Sequence, residues 1–245
     1  FAVSVIMYAF NEEENVVPCM EEGLDFLAEA TSDFELTLVS DGSKDGTAAA
    51  ARSVQERHPE HDQVVDRQPN RGIGGALEAG FDVATREWLI GLPADGQVPP
   101  SGLGHLFDMV VADPSIEIVT AGSPHRFQEA DHIGRKLLSR GLPALMWLTT
   151  GVSCKLDGVY LIRRADCLHI PTESDAFFFN LELPIKAMRD GLRPGATTMG
   201  SAKSDRAGLE RPCRCRFPSS GSLNSPIVVS EPHVSRGHLR VGSRV

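Results

Sequence analysis

The stretch FELTLVSDGSKDGTAAAARSVQER, residues 34–57, contains a strand, a turn and a helix in immediate succession. Its first seven residues are mostly apolar or β-branched and predict a buried strand. DGSKDGT, residues 41–47, is typical of a turn, and the alanine-rich segment after it predicts a helix. A strand followed by a crossover helix returns as a parallel neighbour, so this unit indicates an α/β fold.

The same unit recurs through the first half of the chain. Apolar residues at helical spacing follow Asn15, a residue typical of helix caps, and Pro18 is tolerated there in a first helical turn. The predicted strands are 2–9, 34–40, 62–68 and 87–92, and two further predicted helices are 48–57 and 74–85. This alternation predicts a mostly parallel, doubly wound sheet with helices on both faces.

Beyond residue 115 the alternation becomes less regular. The pattern there predicts strands at 116–122 and 157–164, an amphipathic helix at 135–150, and a helix at 180–191 that ends at Gly191. We expect one domain over residues 1–211, with halves at 1–115 and 116–211. Residues 212–245 are rich in Ser, Pro and Arg without periodicity, and we interpret them as a disordered basic tail or the product of a reading-frame change.

Composition excludes several classes of protein. The formal charge is -9, and because residues 212–245 carry +4, residues 1–211 carry -13, which argues against nucleic-acid binding. Five scattered cysteines fit a reducing compartment rather than a disulfide framework. The longest apolar stretch is shorter than the roughly 20 residues that span a bilayer. We therefore expect a cytoplasmic protein without a transmembrane segment.

Carboxylates follow three of the predicted strands. They lie in FNEEEN at 10–15, in SDGSKDGT at 40–47 and in PADGQ at 93–97, where Pro93 is expected to end its strand. Each group taken alone is explained as a turn or a helix cap. Ligands bind beyond the carboxyl ends of parallel strands, and like charges crowded there need a cation or ligand donors. No Walker, dinucleotide or metalloprotease motif occurs.

Four motifs in this order resemble family 2 glycosyltransferases of the GT-A fold. They are YAFNEEEN (8–15), ELTLVSDGSKDGT (35–47), NRGIGGALEAG (70–80) and PADGQVPP (93–100). Four later motifs resemble the polyprenyl-phosphate branch, to which dolichyl-phosphate mannose synthase belongs. They are GRKLLSR (134–140), LDGVYLIRR (156–164), FFFNLELPIKAMRDG (177–191) and SDRAG (204–208).

The resemblance implies a nucleoside-diphosphate sugar donor and a divalent cation, Mg²⁺ or Mn²⁺. The donor-binding positions it implies are Ala9, Asn11, Glu12, Asp41 and Asp95. Ser40 stands where the family has an acidic residue that contacts the base. The family's D-x-D metal motif maps onto residues 93–95, so Asp95 is its single carboxylate and Gln97 an accessory ligand. Oxygens of the donor diphosphate and water would complete the coordination.

For the acceptor, the resemblance implies a polyprenyl phosphate at a membrane surface, and transfer with inversion at the anomeric carbon. The implied acceptor-binding residues are Arg126, Arg135, Arg140 and Arg206, with Arg126 also assigned to catalysis. A phosphate acceptor is already anionic at neutral pH and needs no general base. A hydroxyl acceptor would need one, for which Asp157 and Glu182 are the candidates, although both also fit structural positions at a turn and a helix start.

Three alternatives follow from these residues. The helix at 135–150 could contact an isoprenoid chain or a bilayer, or pack inside the domain. Pro93 in the metal motif leaves open a non-catalytic protein that binds nucleotide sugars. A nucleotidyltransferase is a further alternative, but Glu12, Glu13 and Glu14 stand where such enzymes usually have a glycine-rich, basic loop.

Overall fold

A computed structural model describes residues 1–122, 148, 150–153, 158–198 and 214–215. The strands are β1 (Ala2–Ala9), β2 (Asp33–Asp41), β3 (Asp62–Arg67), β4 (Trp88–Pro93), β5 (Ile118–Gly122), β6 (Val152–Ser153), β7 (Val159–Arg163), β8 (Pro194–Thr198) and β9 (Arg214–Cys215). The α-helices are α1 (Val16–Ala30), α2 (Thr47–Gln55), α3 (Gly72–Val83), α4 (Gly104–Ala112), α5 (Arg164–Cys167) and α6 (Phe179–Arg189), and a 3₁₀-helix spans Pro100–Leu103.

Seven strands form one sheet in the order β3-β2-β1-β4-β7-β5-β8. The first four are mutually parallel, and β7 is antiparallel to both β4 and β5. The predicted α/β class with a mostly parallel sheet is therefore confirmed. The sequence pattern did not predict β8. Its sequence PGATT begins with proline and glycine and lacks the apolar alternation of a predictable strand.

The sheet is covered on both faces. Val5 and Met7 of β1 point into the core beneath α1, α2 and α4, whereas Ile6 points into the core beneath α3 and α6. Strands buried on both faces have nearly continuous apolar sequences, which explains why residues 2–9 are apolar except for Ser4. A close contact joins Gly80 of α3 to Ile6, since a side chain at position 80 would overlap the Ile6 side chain. Glycine at position 80 therefore sets how near α3 lies to the sheet.

The carboxyl ends of β1, β2 and β4 are level with one another. Ala9 pairs with Ser40, and Tyr8 pairs with Pro93. The Ala94 N–H donates to the Tyr8 carbonyl at 3.0 Å, after which the chain leaves the sheet, as expected after Pro93. The loops that follow these three strands therefore emerge from one edge of the sheet.

Several predictions from sequence fall on residues that the structure does not describe. Most of the predicted helix at 135–150 lies outside the described residues, and so does most of the tail. Within the tail, β9 pairs with β6 as an antiparallel two-residue ladder. The domain boundary at 211 and the disorder beyond it stay predictions. Among the described residues, none of the helices has the length and apolar character needed to cross a membrane.

Candidate active site

The loops after β1 and β2 are joined by hydrogen bonds. Asn11 has a left-handed backbone with φ of 56°. Its N–H donates to the Ser43 hydroxyl at 3.1 Å, and its side-chain oxygen accepts the Lys44 N–H at 2.8 Å. The Glu12 N–H donates to the Thr47 hydroxyl at 2.8 Å. Residues 11–12 and 43–47 therefore form one bonded surface at the ends of the two strands.

Two carboxylates in these loops, Glu13 and Asp45, accept hydrogen bonds from backbone N–H groups. Glu13 accepts the Gly46 N–H at 2.9 Å, and Asp45 accepts the Thr47 N–H at 3.0 Å. Bonds from the Thr47 hydroxyl and backbone, and from the Glu13 N–H, hold the pKa of Asp45 below its usual value. The turn interpretation therefore fits Asp45, which bonds within the turn before α2, while the N-cap of that helix is Gly46.

Asp41 is buried at the end of β2. Its carboxylate accepts the Arg71 N–H at 3.0 Å and the Gly72 N–H at 2.7 Å, and lies 3.6 Å from the Arg67 guanidinium. Gly72 has φ of 83°, a conformation that glycine adopts without strain. The carboxylate thus positions the glycine-rich segment that opens α3. A direct contact between Asp41 and a nucleotide stays a prediction.

Asp95 lies on the loop after β4, beside the loop after β1. The strand order reverses at β1, since β2 and β3 lie on one side of it and β4 on the other. Burial raises the pKa of the Cys19 thiol, and the Glu22, Asp95 and Glu12 carboxylates raise it further. A Cβ atom at Gly96 would lie 3.8 Å from the Cys19 sulfur, so the Asp95 loop contacts α1, the helix that follows the loop after β1. This arrangement is the crevice in which α/β proteins bind ligands.

The Asp95 carboxylate is half-buried and held in a tight turn. One oxygen accepts the Gln97 N–H at 2.9 Å, and Gly96 between them has φ of 73°. Within the described part of the chain, no Lys or Arg forms an ion pair with Asp95. The same residues contain no group of three or more His, Cys, Asp or Glu arranged to hold a metal ion. A cation at Asp95 would therefore need oxygen ligands from a bound substrate or from water.

Ala9 and Ser40 are buried at adjacent strand ends. Ala9 is the last residue of β1 and pairs with Ser40 of β2. The Ser40 hydroxyl has no hydrogen-bond partner among the described residues. Phe10, which the sequence analysis did not select, is exposed on the loop immediately after Ala9. Its position next to Asn11, directly after an apolar strand, is the sequence signal that could have identified it.

Glu182 organises the loop 171–178, which precedes α6. Its carboxylate accepts the Glu173 N–H at 2.9 Å and the Ser174 N–H at 3.0 Å, and pairs with Lys186 at 2.7 Å. Burial alone would raise the pKa of Glu182, but these bonds together hold it below the usual value. Both oxygens are engaged, so the geometry favours the structural interpretation of Glu182. Its action as a general base stays a prediction.

The loop 171–178 is also fastened to the start of α3. The Arg71 guanidinium pairs with the Asp175 carboxylate at 2.5 Å, and the Gly74 N–H donates to the Asp175 carbonyl at 2.8 Å. These contacts join residues about a hundred positions apart. They connect the nucleotide-binding half predicted from sequence to the predicted acceptor-binding half. The sequence analysis selected neither Arg71 nor Asp175.

The other predicted site residues lie outside the described part of the chain. They are Arg126, Arg135, Arg140, Asp157 and Arg206. Of the predicted site residues that are described, Asn11, Glu12, Asp41, Asp95 and Gln97 lie at strand ends or on loops at the carboxyl edge of the sheet.

The sequence model of glycosyl transferase family 2 matches residues 4–167, about two thirds of the chain. The chain belongs to this family. Among curated family 2 relatives, the undecaprenyl-phosphate 4-deoxy-4-formamido-L-arabinose transferase of Photorhabdus laumondii is 30% identical over 151 residues, which are 62% of this chain and 45% of the relative. The Proteus mirabilis transferase of the same name is 29% identical with the same coverage. The chain thus spans about half the length of these relatives.

Solved structures confirm the GT-A fold of this family 2 member. Glucosyl-3-phosphoglycerate synthase from Mycobacterium tuberculosis, in complex with Mn²⁺, UDP and glucosyl-3-phosphoglycerate, superposes with a TM-score of 0.60 at 21% identity. The match covers 84% of this chain and 72% of the synthase. The same synthase with Mg²⁺ and UDP has a TM-score of 0.58 at 20% identity, with the same coverage. At these identities the likeness concerns the fold alone.

Proposed function

We propose that the chain transfers a sugar from a nucleoside-diphosphate donor to a polyprenyl phosphate, with inversion at the anomeric carbon. One observation carries the proposal. The loops after β1, β2 and β4 leave the sheet at one edge, around the reversal of strand order, and Asp95 on the third loop forms no ion pair with a described Lys or Arg. Such a crevice accepts a phosphorylated, cation-bound donor.

For the donor, we place the nucleotide over the ends of β1 and β2. Phe10 offers an exposed ring for a base to stack on, and Asn11, Glu12 and the loop positioned by Asp41 surround it. The Ser40 hydroxyl, which has no hydrogen-bond partner among the described residues, lies beside Ala9 at the same strand ends and is a further polar group at this position. Because the solved relatives bind UDP, UDP-sugars are the first donors to test.

The side chains present fit a weakly held divalent cation. Asp95 supplies a carboxylate oxygen and Gln97 an amide oxygen, which are ligand types that Mg²⁺ and Mn²⁺ accept. Mg²⁺ is commonly held by one or two carboxylates together with substrate phosphates and water, so Pro93 in place of a first carboxylate is compatible with a site. When bound, the cation would neutralise charge that develops on the departing diphosphate.

For the acceptor, the geometry favours a phosphate over a hydroxyl. A phosphate monoester is ionised at neutral pH and needs no general base, whereas a hydroxyl needs one within hydrogen-bonding reach. Glu182, one of the two candidate bases, has both oxygens engaged in bonds that lower its pKa. The curated relatives act on undecaprenyl phosphate, in agreement with this choice. Since that acceptor is a lipid, we place the reaction at a membrane surface.

The test is a transfer assay with a panel of UDP-sugars, Mn²⁺ and undecaprenyl phosphate in detergent. We expect a lipid-linked sugar to form, and chelation of the cation to prevent it. Undecaprenol, which has the same chain and a free hydroxyl, is the matched control and should accept no sugar. Transfer to undecaprenol at a similar rate would favour the hydroxyl mechanism. Tight donor binding without transfer to any acceptor would instead favour the non-catalytic alternative.

A further inference from the structure

Three consecutive phenylalanines before and at the start of α6 have opposite environments. Phe179 is 1% exposed and packs against Phe81 in the core. Phe177 and Phe178 are 49% and 57% exposed. Large apolar side chains that remain together at a surface commonly mark a binding site. The exposed pair, Phe177 and Phe178, therefore indicates a binding site for a ligand that has an apolar surface.

The loop that carries this pair is held from several directions. Glu182 accepts two of its N–H groups, and Arg71 pairs with Asp175. A Cβ atom at Gly72 would lie 2.7 Å from the Asp175 carbonyl oxygen, so the loop is in close contact with the start of α3. A segment fixed in this way presents its rings with little further loss of conformational entropy when a ligand binds.

The pair also lies at the edge of the sheet where the reaction is proposed. β7 runs antiparallel to β4, so its first residues lie beside the carboxyl end of β4, from which the Asp95 loop emerges. A Cβ atom at Gly158, immediately before β7, would lie 3.8 Å from the Phe177 ring. The Phe177 ring therefore lies near the carboxyl edge of β4, and Phe178 follows it in the same loop.

We propose that Phe177 and Phe178 contact the hydrocarbon chain of the lipid-phosphate acceptor next to its phosphate. The inference rests on the proposed function, and it follows from the polarity of the two substrates. A nucleoside-diphosphate sugar exposes charges and hydroxyl groups, whereas the acceptor has a long hydrocarbon chain. Only the acceptor has a large apolar surface to bury against two phenyl rings.

The test compares Phe177→Ser/Phe178→Ser with Phe177→Leu/Phe178→Leu and with Leu168→Ser. Leu168 is 45% exposed and lies at the opposite edge of the sheet, beyond the end of β7, so its substitution controls for loss of an exposed apolar group. Melting temperatures verify that all three variants fold. The measurements are KM for undecaprenyl phosphate, Kd for the UDP-sugar by calorimetry, and binding to phosphatidylcholine vesicles that contain no acceptor.

We expect the double serine variant to raise KM for undecaprenyl phosphate about tenfold or more, because burial of roughly half of each ring is lost. The leucine variant should largely restore KM, and Leu168→Ser should leave it unchanged. Donor Kd and vesicle binding should not respond to any of the variants. An unchanged KM in the serine variant would overturn the proposal.

Two other outcomes would also overturn it and would identify the true occupant. A weakened donor Kd would mean that the rings stack on the donor. A loss of vesicle binding in the serine variant would mean that they contact the bilayer. If the unmodified chain transfers no sugar to undecaprenyl phosphate, the proposed function itself fails. Absence of transfer by the unmodified chain is distinguishable from the other negative result, in which the chain is active and its KM for undecaprenyl phosphate is the same in all variants.

Discussion

Replacing Asp41 by asparagine tests whether its buried carboxylate holds the glycine-rich segment against the sheet. One oxygen accepts the Gly72 N–H at 2.7 Å and the Arg71 N–H at 3.0 Å, and the other lies 3.2 Å from the same Arg71 nitrogen and 3.6 Å from the Arg67 guanidinium. The asparagine amide retains one acceptor oxygen but carries no charge. Its NH₂ group is a donor, so it cannot accept a hydrogen bond from the two N–H groups or from Arg67, whichever it faces. Hydrogen bonds to charged groups contribute roughly twice as much as neutral ones, so two weakened bonds and one lost ion pair amount to about 2–3 kcal/mol.

The assay is urea denaturation of Asp41→Asn with Asp25→Asn as the control. Asp25 is exposed on α1, so the control makes the same change in charge without touching a buried bond. We expect the free energy of unfolding to fall by about 2–3 kcal/mol for Asp41→Asn and by less than about 0.5 kcal/mol for the control. Equal effects of the two substitutions would refute the reasoning, because the carboxylate would then contribute only charge.

Two further substitutions test the core and a buried acid. Gly80→Ala should lower the free energy of unfolding by about 1–3 kcal/mol because the new methyl group overlaps the Ile6 side chain. Gly104→Ala is the control and should be tolerated, because a Cβ atom there meets no atom within 4 Å. Equal melting temperatures of the two variants would contradict this packing. Asp62 is buried, and burial raises its pKa to about 7. Between about pH 4 and pH 7 the unfolded state therefore ionises while the folded state keeps its proton, so stability falls as pH rises through this range. Asp62→Asn should remove that fall and be more stable than the unmodified chain at about pH 8, by about 1–2 kcal/mol once solvent screening is allowed for. Parallel stability profiles from about pH 5 to pH 8 would show that Asp62 is not the titrating group.

The first half of the fold was predictable because its elements obey simple periodicities. β1, β2 and β4 are rich in apolar and β-branched residues, and α3 begins at a glycine-rich segment. The antiparallel insertion of β7 between β4 and β5 was not predictable from local sequence, because strand pairing depends on contacts between distant residues. β8 was not predictable because its sequence begins with proline and glycine, which are uncommon in strands.

The placement of three carboxylate-bearing loops at one edge of the sheet was predictable from sequence, whereas the hydrogen bonds of those carboxylates were not. Sequence located carboxylates at three strand ends, and the structure brings these ends to one edge. It could not show that Asp45 and Asp41 bind backbone N–H groups, because those donors come from a turn geometry and from a loop thirty residues away. Sequence also could not show which phenylalanines of 177–179 are buried, since identical neighbours differ only in the direction in which they point.

The central claim is that Asp95 and the donor diphosphate share one divalent cation. Calorimetric titration of UDP into the unmodified chain and into Asp95→Asn, each with and without Mn²⁺, measures this sharing directly. We predict that Mn²⁺ tightens UDP binding about tenfold or more in the unmodified chain and in Asp25→Asn, and less than about twofold in Asp95→Asn. An equal effect of Mn²⁺ in all three proteins would contradict the account, because the cation would then bind without the carboxylate at position 95.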